Sequence, residues 1–159
     1  MKISIIGIVI TVLILFPRVM FLKKSPPKNV QVGIKDAPVI FQIIEIIGFS
    51  CFVELIFLNE HLKLNNINAF MIISIICILI YYGLWIRYIV HGREIIFLYQ
   101  PFLYIPIPLA VFPICIVGFV ALWANYISLG ISTVIFAIGH LAVTWNSYKQ
   151  VTKNNYKAS

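Results

Sequence analysis

The chain has 159 residues, 62% of them hydrophobic and 11% charged, with a mean hydropathy of +1.02 and a formal net charge of +7. Soluble domains carry about a quarter charged residues, so water is excluded as the solvent of this fold, and five spanning helices leave no length for a separate soluble domain. The positive balance is accounted for by membrane topology and attraction to anionic headgroups, and nucleic acid is not an expected partner.

Apolar runs predict an all-α fold, a polytopic bundle of five transmembrane helices over about 3–22, 39–58, 69–90, 107–124 and 129–148, in a single integral membrane domain covering 1–159. In the first span Ser4, Gly7, Thr11 and Arg18 share one helical face, which is expected to point at other helices. Lys2 before an apolar run imitates a secretion signal. Pro17, Arg18, Val19, Met20 and Phe21 offer no small-x-small cleavage site, however, so the segment reads as a retained helix. Lys23 to Pro38 is basic, proline-rich and helix-stopping, suited to the face of an anionic bilayer.

The second span carries Gln42, Glu45, Ser50 and Glu54 within an apolar run; Glu45 and Glu54 fall on opposite faces, roughly 13 Å apart along the axis, and cannot act as one carboxylate pair. Asn59 to Asn68 is expected as a short outer loop. The third span ends in Tyr81, Tyr82, Trp85 and Tyr88, read as rings settling at headgroup level, with Arg87 extending toward water. From His91 to Pro106 the chain is too short and too proline-broken to span, and a short interfacial segment with a helix near Ile95 to Tyr99 is expected between the third and fourth spans. Pro108 suits the first turn of the fourth span, and Pro113 should kink it. After a tight outer turn from Asn125 to Gly130, the fifth span aligns Thr133, Ala137, His140, Thr144 and Ser147 on one stripe, a face expected to pack on protein through interhelical hydrogen bonds. The tail from Lys149 to Ser159 reads as polar, basic and frayed.

Five spans place Arg18, Lys23, Lys24, Lys28, Lys35, Arg87, Arg93, Lys149, Lys153 and Lys157 on one side and only Lys2 and Lys63 on the other. Lys and Arg in short flanks resist translocation, so the rich side is expected to be cytoplasmic, with the N-terminus out and the C-terminus in. Arg18, Glu45, Arg87 and His140 then lie roughly 6, 9, 5 and 12 Å in from the cytoplasmic end of their spans. A lone charge at such depth costs several kcal/mol, so these groups are expected to turn inward and pair, or to line a wet cavity.

For Glu45 the two readings are an ion pair with Arg18 or Arg87 that fixes helix order, and a proton-exchanging carboxylate. His140 is either a hydrogen-bonded member of a packed seam or a proton relay or ligand contact, and Thr144, one turn on, suits both roles. Arg93 and Glu94, beside His91 and Gly92, form either a solvated loop or a headgroup contact. Cys51, Cys77 and Cys115 read as small buried hydrophobes. The five acids, Asp36, Glu45, Glu54, Glu60 and Glu94, form no two-metal cluster, and nucleophile elbows, zinc motifs and phosphate-cradling glycine loops are missing. No cofactor or metal is therefore expected.

The function expected first is a non-enzymatic multi-pass protein of a bacterial cytoplasmic membrane. It would bind an anionic lipid-like ligand or a membrane partner in a polar pocket of the cytoplasmic half, through Arg18, Glu45, Arg87, Arg93, His140 and Thr144. The alternatives are a proton-coupled small-molecule carrier using Glu45 and His140, and a membrane enzyme acting on a lipid headgroup with His140 or His91 as base. The expected partners are membrane lipids, anionic ones above all, and a second copy of the chain or a partner subunit.

Overall fold

The computed structural model describes residues 3–24, 36–58 and 67–158, and its regular elements are α-helices: α1 (Ile5–Lys24), α2 (Val39–Gly48), α3 (Ser50–Ile56), α4 (Ala69–Val90), α5 (Ile96–Tyr99), α6 (Pro108–Ala124) and α7 (Ile127–Ala158). The expected loops from Lys23 to Pro38 and from Asn59 to Asn68 fall largely on residues 25–35 and 59–66, outside the described residues. Three stretches are long and apolar enough to cross a membrane: Val39–Ile56, made of α2 and α3, Ala69–Val90 and Ile127–Lys153, with 18, 22 and 27 residues. Ile5–Met20 and Pro108–Ala124 are shorter apolar helices beside them.

What decides the solvent is where the apolar side chains point. Only 22%, 28% and 33% of the apolar windows of the three long stretches are buried within the protein. Exposed aliphatics such as Val9, Val12, Ile43, Ile46, Ile75, Leu79, Val134 and Ile138 cover the outside, while Ser4, Thr11, Ser74, Ser132, Thr133 and His140 are buried inside. An apolar exterior of this extent belongs to a multi-pass integral membrane protein.

Packing runs α2 on α7, α4 on α6, α6 on α7, and α1 on α3 and α4. The core between them is built from Cys51, Leu55, Ile116, Val117, Val120 and Leu129, each fully enclosed. The three cysteines are free thiols, two of them buried, as their place in apolar runs suggests.

Local chemistry sets the ends. Ser4 Oγ accepts from Gly7 N–H at 3.1 Å and Asn68 Oδ1 from Met71 N–H at 3.1 Å, capping α1 and α4. Helix α4 closes in a Schellman motif: Gly92, at φ 79°, donates to Ile89 O, and Arg93 donates to Tyr88 O at 3.1 Å. Asn125 does the same for α6 in the left-handed region at φ 49°, with Tyr126 N–H on Ala121 O, so α7 starts after a very short link. Pro108 occupies the first turn of α6, and the helix runs on through the buried Pro113.

Several expectations are corrected. The second span is interrupted at Phe49, whose N–H reaches both Glu45 O and Ile46 O while Phe52 N–H bonds Phe49 O, a locally tightened turn. The fifth helix begins at Ile127 and continues to Ala158, so the polar tail is helical beyond the apolar run. Tyr81, Trp85 and Tyr88 are not a ring of headgroup anchors; they are 2%, 3% and 0% exposed, in edge-to-face succession inside the bundle.

The neighbouring Tyr82 answers a proline. Pro17 has no N–H to give Leu13 O, and Tyr82 Oη donates to that carbonyl at 3.0 Å, while Tyr81 Oη donates to Ile14 O at 3.1 Å. Further along, Phe102 and Ile105 exchange backbone hydrogen bonds across a turn in which Leu103 and Tyr104 both have positive φ, 48° and 67°. That is the I′ geometry usually given to Asn and Gly.

Candidate functional site

Glu45 sits on α2, and α7 crosses that helix backbone against backbone. A Cβ at Gly139 would overlap the Glu45 main chain, and one at Gly48 would overlap that of Phe136. Only hydrogen atoms fit between the helices at those two points. This closeness delivers His140, the residue after Gly139, onto the carboxylate: His140 Nδ1 lies 2.7 Å from Glu45 Oε1, the side chains being 8% and 14% exposed. With Glu45 ionised, its carboxylate only accepts, so Nδ1 carries the proton and donates it to the bond. Phe136 lies flat on the imidazole, ring centroids 4.8 Å apart at 12°, and holds its plane.

Two hollows flank the pair. One, of about 170 Å³, is lined by His140 and Thr144 together with Tyr81, Trp85, Tyr99 and Arg18. The other, of about 360 Å³, is lined by Glu45, Asp36, Gln42 and Arg18. Arg18 therefore looks into both, and no described residue forms an ion pair with it within 4 Å. A third depression, of about 510 Å³, lies at the far ends of α6 and α7 among Leu122, Tyr126, Ile131 and Val134 and carries no charged residue.

The structure brings Arg18, Glu45, His140 and Thr144 together. Arg87 and Arg93 line neither hollow: Arg87 Nη2 donates to Gln100 O at 3.0 Å, tying the end of α4 to the segment after α5, and Arg93 completes the helix-ending motif. The sequence leads one to expect an arginine beside Glu45; the partner found is the histidine. His91 is exposed, with Nδ1 2.9 Å from Arg87 O on its own helix and its ring against Phe97. The stripe on α7 faces protein, but Thr133 and Ser147 donate their hydroxyls to Leu129 O and Val143 O of their own helix, at 2.6 and 3.3 Å.

Asp36, Gln42, Phe49 and Tyr99 are not among the expected site residues. Tyr99 lies on the short helix α5, which folds back over the hollow, a placement with no local sequence signal. Gly48 and Gly139, which set the crossing, do leave one, each lying within three positions of an ionisable residue set in an apolar run. Among the described residues no group of three or more His, Cys, Asp and Glu is gathered that could hold a metal ion.

The chain matches no protein-family model, no curated protein and no solved structure. The site's own geometry carries the functional reading.

Proposed function

We propose that this multi-pass protein crosses a bacterial cytoplasmic membrane five times, N-terminus out and C-terminus in, and binds an anionic lipid-like ligand in its cytoplasmic half without transforming it. The orientation rests on the Lys and Arg asymmetry. The binding reading rests on one observation above the others: Arg18 lines both hollows without an ion-pair partner among the described residues, while Glu45, which lines the larger one with it, is already engaged by His140. A guanidinium in that position is free to take an external oxyanion, and the aromatic walls suit the apolar stem behind it.

Native mass spectrometry of the protein supplied with equal amounts of phosphatidylglycerol and phosphatidylcholine tests this. Wild type should retain the anionic lipid, and Arg18→Gln should lose that preference about tenfold, the worth of one charge-assisted contact. Equal retention of both lipids by wild type would overturn the reading.

A further inference from the structure

The Glu45–His140 pair stands where two hollows meet: His140 lines the smaller, Glu45 the larger, and their 2.7 Å bond joins the two walls. Ionisable groups reach this region from Arg18 on α1, Asp36 ahead of α2, Tyr81 on α4 and Tyr99 on α5. Helix α3 contributes only Phe52 to the lining, and α6 only Leu109, Ala110 and Pro113.

Among the described residues, with His140 neutral, one positive charge, Arg18, faces two negative ones, Glu45 and Asp36. An arriving anion meets an unfavourable balance. A proton added from cytoplasmic water to Nε2 of His140 makes the ring an imidazolium without disturbing the Nδ1–H bond to Glu45. The balance becomes even, and a second N–H donor stands beside Arg18 in the smaller hollow.

Resting on the anion-binding reading above, we infer that the ligand and one proton bind together, the proton being held on His140 by Glu45. Coupling of this kind is reciprocal: the anion favours the proton as much as the proton favours the anion. The ligand class is an oxyanion on an apolar stem, whether a free monocarboxylate or a lipid phosphodiester, carried as a charge-neutral load. Such a pair is what a proton-coupled carrier needs at its binding site.

Isothermal titration of the full chain in phosphatidylcholine nanodiscs tests this, with decanoate in one arm and dihexanoyl phosphatidylglycerol in the other, each in two buffers of different ionisation enthalpy. In the arm that binds, about one proton should be taken up per ligand, the stoichiometry of a single linked site. Which arm binds separates the free acid from the lipid headgroup. His140→Gln, which keeps a donor for Glu45, should bind about tenfold more weakly and take up no proton. Binding by wild type without proton uptake, or uptake unchanged in His140→Gln, overturns the inference and leaves the anion site standing; no binding in either arm sinks the anion site itself. Should the variant fail to fold, nitrogen-15 spectra of histidine-labelled wild type decide the same question. Nε2 must move from the bare to the protonated position when the bound probe is added, and an unmoved resonance overturns the inference.

Discussion

The seam between α2 and α7 and the seam between α1 and α4 both bury polar groups in an apolar bundle, and they do so in opposite ways. Between α1 and α4 the need is local and closed: Pro17 leaves Leu13 O without a donor, and Tyr82 supplies one from the neighbouring helix. Between α2 and α7 the polar groups are ionisable, meet across the contact at 2.7 Å, and open on each side to a hollow. The first arrangement completes a backbone at Leu13 O. The second is satisfied within itself and still presents Thr144 and the far edge of an imidazole to a hollow that Arg18 of α1 also lines. Polar burial in a membrane bundle is therefore no guide to function until one asks whether the group faces a space.

The largest way to break the comparison is Gly139→Val. A side chain there meets the Glu45 main chain, which cannot step aside, and the loss should reach about 3 kcal/mol or more, read by denaturant unfolding in detergent. Next comes Glu45→Ala, which leaves the Nδ1–H of His140 without an acceptor in the seam and should cost about 1–3 kcal/mol. Glu45→Leu with His140→Phe should recover most of that loss in the same assay while abolishing proton uptake, because an apolar pair of similar volume removes the desolvation cost.

A smaller effect sharpens the closed side. Tyr82→Phe should cost about 1 kcal/mol. In a Pro17→Ala background it should cost almost nothing, because the alanine introduced there has an N–H that serves Leu13 O as an ordinary helical bond; a cycle showing no such coupling would remove the proline from the explanation. Smallest is Leu103→Asn with Tyr104→Gly, which gives the I′ turn residues that accept positive φ and should raise stability by about 0.5–1 kcal/mol by the same unfolding measurement.

Much of this architecture is legible in the sequence. The bounds of Ala69 to Val90 can be read because a capping Asn precedes the helix and a glycine follows its end, and Pro108 marks the start of α6. The extent of α7 is not legible from hydropathy, since polar residues past Tyr148 continue a helix as readily as apolar ones. Depth arguments set Arg18, Glu45, Arg87 and His140 in one half of the bilayer, but periodicity fixes a residue's angle on its own helix and not which neighbour it meets. Hence Arg18 and Arg87 are the partners the sequence suggests for Glu45, and His140 is the actual one. Arg93 resembles a site residue by its charge, although Gly92 before it already spells a helix terminus.

Because the α2 and α7 main chains touch at Gly48 and Gly139, the crossing works as a fixed gauge. The breadth of the space on either side depends instead on replaceable walls such as Phe49, Leu109 and Val143. Changes at those three positions therefore alter the space around the ionisable couple without touching the contact that fixes its geometry, so that breadth and pairing are separable properties of one small bundle.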